Sequence, residues 1–149
     1  VGTRPLAENN SPAESQKRKR DLPTGRGETI LIVDDESAVR EVTKTILSRT
    51  GYNTLVADDG PAALALFVER SAEIDVVVTD LVMPALSGSL LVQVLRKMAS
   101  KVKIIICSGQ PVDDMPAQLR TIGVQGYLTK PYTHETLLRM VDRVLHEFF

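Results

Sequence analysis

Apolar positions along the chain switch repeatedly between two periods. Thr29 to Val33 is a short β-branched and apolar run that reads as a buried strand, and Val39, Val42, Ile46 and Leu47 then recur at helical spacing. Gly51 stands where a glycine closes that helix. The alternation continues with strand-like Thr54 to Ala57, a helix through Ala62 to Val68, and a strand from Ile74 to Thr79. Leu90, Leu91, Val94, Leu95 and Met98 mark the next helix, and Val102 to Cys107 is another continuous apolar run. A helix around Ala117 to Ile122, a short strand at Gln125 to Thr129 and a last helix from His134 to Glu147 complete five βα units.

Strands that are apolar almost throughout, alternating with helices, predict a parallel sheet covered on both faces and joined by right-handed crossovers. The functional crevice of such an α/β sheet lies beyond the carboxyl ends of its strands, near the point where strand order reverses. The residues just after each apolar run therefore carry the most information.

Residues 1–27 break this pattern. They hold Pro5, Pro12 and Pro23, few large apolar side chains and no sustained period, and so read as a flexible linker or arm ahead of one folded domain, residues 28–149. Six Lys/Arg against three Asp/Glu make the arm basic, while the whole chain is at −1. The run Lys17-Arg18-Lys19-Arg20 reads as a solvated stretch before it reads as a nucleic-acid or membrane contact. With 43% hydrophobic and 25% charged residues in 149, the composition is that of a soluble globular domain. No apolar run approaches the roughly 18 residues that span a bilayer, and no signal peptide is evident, so a cytoplasmic location is expected. Cys107, the single cysteine, sits within an apolar run and reads as a buried, inert thiol.

Four of the five strand ends are polar and chemically complementary: Asp34 and Asp35 after the first, Asp80 after the third, Ser108 after the fourth and Lys130 after the fifth. In the order 2-1-3-4-5, strands one and three are neighbours about 4.8 Å apart, which brings the acidic pair beside Asp80. Close carboxylates repel one another unless a cation compensates. Lys130 supplies one, and a hard, oxygen-only ligand set suits Mg²⁺, with Mn²⁺ an acceptable substitute. Asp80 could then attack phosphorus to give an aspartyl phosphate, with Lys130 holding a phosphoryl oxygen and Ser108 donating its hydroxyl. Singly, each residue has a plainer reading, the acids as helix caps and Ser108-Gly109 as a turn. Capping alone does not explain Lys on the fifth strand together with acids on the first and third. Asp58-Asp59-Gly60 reads as turn and helix-start chemistry at the sheet edge.

At these residues the chain resembles the receiver domain of two-component response regulators, over about residues 28–148. The motifs are Ile30-Leu31-Ile32-Val33-Asp34-Asp35-Glu36, Asp80-Leu81-Val82-Met83-Pro84 with Ser87-Gly88, Ser108-Gly109, and Tyr127-Leu128-Thr129-Lys130-Pro131-Tyr132. The resemblance implies a flavodoxin-like fold with Asp80 as phosphoacceptor. It implies that Asp35 and Asp80 bind Mg²⁺ directly, Asp34 through water, and that the Val82 carbonyl completes the protein ligands. Ser108 and Tyr127 would be the switch pair, Lys130-Pro131 a cis peptide, and the output face the fourth helix, fifth strand and fifth helix. Val82 and Gln110 stand at the two places that influence attack by water in this family, and apolar Val82 suggests a long-lived phosphoryl group.

The chain looks most like receivers at the C-terminal ends of hybrid sensor histidine kinases, whose parent protein can be membrane-anchored. Its phosphodonor would be a histidine kinase domain and its next acceptor a histidine phosphotransfer protein, with His134 and His146 as bystanders on the surface. No DNA-binding domain is expected within these residues. A receiver catalyses its own phosphorylation and dephosphorylation but is no dedicated turnover enzyme. An aspartate-nucleophile phosphatase would want an acid where Val82 stands, and no G-x-G-x-x-G follows the first strand. The other reading is a receiver-like protein-binding module that works without phosphorylation.

Overall fold

The structure, a computed structural model, describes residues 21–99, 101–111, 115 and 117–147. The run Lys17-Arg18-Lys19-Arg20 and the rest of the expected arm up to residue 20 lie outside the described residues. Five strands, β1 (Thr29–Val33), β2 (Asn53–Ala57), β3 (Ile74–Asp80), β4 (Lys103–Ser108) and β5 (Gly126–Thr129), alternate with five helices. These are α1 (Ser37–Arg49), α2 (Gly60–Arg70), α3 (Gly88–Met98), α4 (Ala117–Ile122) and α5 (His134–Leu145).

All four strand pairings are parallel and the order is β2-β1-β3-β4-β5. The apolar strands explain themselves once the two faces are separated. Leu31, Val33, Val77, Ile104 and Ile106 point to one core with Phe67 of α2, Leu91 and Leu95 of α3 and Leu119 of α4. Ile30, Ile32, Val76, Val78 and Ile105 point to the other, with Ile46 and Leu47 of α1 and Leu137 and Val141 of α5. Each side chain buried in this way contributes roughly 1.5–3 kcal/mol, which neither face of the sheet could gain without its helices.

Element ends follow local chemistry. Asp59 Oδ1 accepts the Ala62 N–H at 2.8 Å with Pro61 in the first turn of α2, as its turn and helix-start reading requires. Ser87 Oγ caps α3 at Leu90 N–H, and Thr133 Oγ1 caps α5 at Thr136 N–H. Gly51 takes a φ of +99° just past the end of α1. Gln125, expected in β5, instead stands before it, and its side-chain Oε1 accepts the Ile104 N–H at 2.8 Å.

The last residues of the expected arm are packed against the domain. Gly25 and Gly27 donate their N–H groups to the carbonyls of Thr50 and Gly51 at 2.6 and 2.8 Å, and Leu22 joins the α1/α5 core. Proline and glycine content signalled irregular backbone there, but the open carbonyls at the end of α1 give that backbone partners.

Candidate functional site

β1 and β3 run side by side with Val33 opposite Thr79, so Asp34 and Asp80 emerge together where the sheet ends. β4 continues the line, Asp80 lying opposite Cys107, and β5 places Thr129 opposite Ser108. Lys130 follows at once, its N–H donating to the Ser108 carbonyl at 2.8 Å.

The Lys130 ammonium crosses the crevice to Asp34 Oδ2 at 2.9 Å and Asp80 Oδ2 at 3.1 Å. Asp34 and Asp80 are only 4% and 8% exposed, so both ion pairs are drawn out of bulk water, where they are strongest. Burial works against the charge of Lys130, but the hydrogen bonds and negative charge of Asp34 and Asp80 outweigh it and raise its pKa. It remains an ammonium throughout the physiological range.

Glu36 brings a third carboxylate: one oxygen from each of Asp34, Glu36 and Asp80 lies within 4.8 Å of the others. Its Oε1 is 3.7 Å from Lys130, and its N–H is held by Asp34 Oδ1 at 2.9 Å. Asp35, expected in this cluster, is exposed and is not one of the three. Asp35 and Glu36 both lie beyond the end of β1 at Val33, in the turn where Asp34 Oδ1 holds the Glu36 N–H, and it is the Glu36 carboxylate that this turn brings near Asp34 and Asp80. Three carboxylates against one ammonium leave net negative charge in a partly dry crevice. The donor set is all oxygen, and it fits a hard divalent cation such as Mg²⁺.

Val82 stands at the mouth, 76% exposed, with its N–H donating to Asp80 Oδ1 at 3.3 Å. The turn behind it is tight. A Cβ on Gly88 would lie 1.9 Å from the Asp80 carbonyl oxygen, and Ala85 holds a φ of +68°. Ser108 is buried and its Oγ accepts the Gln110 N–H at 3.0 Å. Tyr127 is half-buried, and its hydroxyl donates to the Gln110 carbonyl at 3.3 Å. Ser108 and Tyr127 are thus tied to the two backbone groups of a single residue.

The Lys130-Pro131 peptide is cis, and His134 and His146 are exposed, as expected. Cys107 is buried, and burial first, with the Asp80 and Asp34 charges adding to it against Lys130, pushes its thiol up to about 12. Three residues of this region had no assigned role in the sequence reading. Arg40 of α1 donates to the Asp34 carbonyl at 2.8 Å, and the Tyr132 hydroxyl meets that of Thr43 at 2.7 Å. Their signal was weak because α1 positions read only as apolar or polar, and Tyr132 read only as the end of a motif.

The sequence profile of the response regulator receiver domain matches residues 30–142. The chain belongs to this family. Among curated receiver-containing proteins it is 32% identical over 140 residues to the sensor kinase CckA of Brucella abortus, covering 93% of this chain and 15% of that kinase. It spans about half the length of the transcriptional and sensory regulators it also matches. A response regulator receiver domain from Clostridium thermocellum superposes with a TM-score of 0.74 at 32% identity, covering 78% of this chain and 93% of that one. The response regulator TrrA of Thermotoga maritima, solved with Mg²⁺-BeF, gives 0.70 at 29% identity over 78% of this chain and 98% of its own. Receiver domains are signalling modules. Among the described residues of this one, no helix is long and apolar enough to cross a membrane.

Proposed function

We propose that this receiver is the phosphoacceptor of a two-component phosphorelay, taking its phosphoryl group on Asp80 from a histidine kinase. The observation that carries the reading is the partly buried Lys130 ammonium shared between Asp34 and Asp80. In the transfer, an Asp80 oxygen forms the new bond to phosphorus. The bond from phosphorus to the donor's histidine nitrogen breaks, and its electron pair stays on the ring. A Mg²⁺ ion, when bound, neutralises the phosphoryl oxygens. By the family pattern Asp35, Asp80 and the Val82 carbonyl would hold it with Asp34 acting through water, while the carboxylate geometry offers Glu36 beside Asp34 and Asp80.

Lys130 then exchanges its contact with Asp80 for a phosphoryl oxygen, as a compact point charge can without losing its hold on Asp34. Ser108 donates its hydroxyl to the same group. Turning that hydroxyl inward breaks its bond with Gln110, the residue that also anchors Tyr127 at the surface, and this supports a coupled switch of the two side chains. The α4, β5 and α5 face would pass the change on. The next acceptor in a relay of the hybrid-kinase kind would be a histidine phosphotransfer protein.

The test is intact mass after incubation with acetyl phosphate and Mg²⁺. One phosphoryl adduct is expected on the wild type, and none on Asp80→Asn or without metal. A folded protein that takes no adduct would leave the receiver as a binding module independent of phosphorylation. Mg²⁺ titrations of Asp35→Asn and Glu36→Gln then assign the ligand, because the larger loss of affinity marks the residue that holds the ion.

A further inference from the structure

Lys130 is set by contacts on both sides of it in the chain. On the amino side its N–H is fixed to Ser108. On the carboxyl side the chain passes through Pro131 to Tyr132, whose ring packs on the α1/α5 core and whose hydroxyl meets Thr43 Oγ1 at 2.7 Å. Thr43 is only 1% exposed and Tyr132 is half-buried, so this is a partly buried bond between two hydroxyls, the helix α1 supplying one and the loop after β5 the other. Burial first, with the Cys107 and Asp34 charges adding to it against the Thr43 bond and Lys130, pushes the Tyr132 phenol up to about 12 and keeps it a neutral hydroxyl.

A loop residue that must place an ammonium within about 3 Å of two carboxylates tolerates little rotation, and the side chains that lock such a residue decide its precision. We propose that the Thr43–Tyr132 hydrogen bond is a latch that positions Lys130 for phosphoryl transfer, an inference that rests on the reading of Asp80 as phosphoacceptor. Tyr132 and Thr43 are positioning residues. Both act through Pro131, the one residue between Tyr132 and Lys130. An apolar pair of the same shape would fill the same space, but it would not fix the angle at which the ring leaves the loop. The hydroxyl–hydroxyl bond does fix it.

Two readouts test the latch in the full chain, on wild type, Tyr132→Phe, Thr43→Val, the double variant and Thr43→Ser. The first is the rate of adduct formation with acetyl phosphate and Mg²⁺. Each hydroxyl deletion is expected to slow it about three- to tenfold, the scale of one buried hydrogen bond, and the double variant to be no slower than the slower single. Thr43→Ser keeps the hydroxyl and is expected to restore the rate. The second readout, taken without phosphodonor, is the NMR signal of the ¹⁵N-labelled Lys130 ammonium. It is expected to shift and broaden in the two deletions and to return in Thr43→Ser, which a general loss of stability would not produce.

An unchanged rate and Lys130 signal in Tyr132→Phe would overturn the latch, as would deletions whose effects simply add. Should the wild type itself take no phosphoryl group, the phosphoacceptor reading fails, while the ammonium signal still reports whether Tyr132 and Thr43 set Lys130.

Discussion

The two ends of the sheet use charge in opposite ways. At the carboxyl ends of the strands, charged groups face one another. Asp34 and Asp80 are buried side by side with Glu36 beside them, and one ammonium serves them all. At the amino ends, charged groups face the backbone. Asp75 Oδ2 accepts the Thr29 N–H at 2.9 Å, Lys103 Nζ donates to the carbonyls of Leu145 and Glu147, and Arg96 Nη1 and Nη2 donate to those of Val102 and Gly123. Charge paired with backbone dipoles closes helix and strand ends and needs nothing further. Carboxylates crowded against each other gain from any cation that arrives. The first arrangement is built for stability and the second for a ligand.

The largest expected effect comes from breaking the backbone that holds the acidic end together. Gly88→Ala places a Cβ 1.9 Å from the Asp80 carbonyl oxygen, a clash with main chain that no rotamer relieves. We expect a loss of roughly 3 kcal/mol or more, at the upper end of overpacking costs, visible as a lower urea midpoint with an unchanged slope. A midpoint within error of wild type would mean that the loop yields easily and that the site is less rigid than its contacts imply.

The second effect separates the two ends by metal. Mg²⁺ at a hundred times its dissociation constant should stabilise the wild type by about 2.7 kcal/mol through binding to the folded state alone. Asp80→Asn removes one of the converging carboxylates and should lose most of that gain, while variants at the amino end should keep it. Thermal melts with and without Mg²⁺ decide between these outcomes. Equal stabilisation of Asp80→Asn would place the ion elsewhere.

How much of this was legible in the sequence depends on whether a residue acts through its place in the pattern or through its neighbours in space. The strands followed from periodicity, and the approach of Asp34, Asp80, Ser108 and Lys130 from the rule for strand ends once the sheet order implied by the family resemblance is taken. Asp35 shows the limit. Adjacent acids look equivalent in a sequence, yet past the end of β1 the turn, and not the strand period, sets their directions, and the carboxylates within 4.8 Å of one another are those of Asp34, Glu36 and Asp80. Thr43 and Tyr132 were hidden for a different reason, because they are 89 residues apart and each alone reads as an ordinary helix or loop position. The docking of Gly25 and Gly27 onto the end of α1 was likewise a matter of which carbonyls stood open nearby.

A smaller effect tests the amino end. Lys103→Met keeps the apolar stem and removes the ammonium that binds the last carbonyl of α5, that of Leu145, and the Glu147 carbonyl just past it. The expected loss is about 1 kcal/mol, the scale of a cation at a helix C-terminus. Phosphorylation by acetyl phosphate should be unchanged, since this group lies at the other end of the sheet. A slower adduct in a variant that melts only slightly earlier would show that the two ends are coupled through β4.

The smallest effect concerns stored strain at the acidic end. Ala85 is the only non-glycine residue with positive φ among the described residues, at +68°, in the turn between Asp80 and α3. An L-residue gives up about 1–2 kcal/mol in that conformation, and glycine does not. Ala85→Gly also frees the unfolded chain, which costs about 0.4–1 kcal/mol in the opposite direction. The difference of the midpoints leaves a net gain of about 0.8 kcal/mol, measurable as a small rise in the urea midpoint. If the variant is instead destabilised by about as much, the entropy of the unfolded chain outweighs the strain. The left-handed turn would then be held at little cost by its surroundings, with Leu86 N–H bonded to the Pro84 carbonyl at 2.8 Å and Gly88 N–H to that of Leu81 at 2.9 Å. Either sign measures how tightly the loop beside Asp80 is wound before any phosphoryl group arrives.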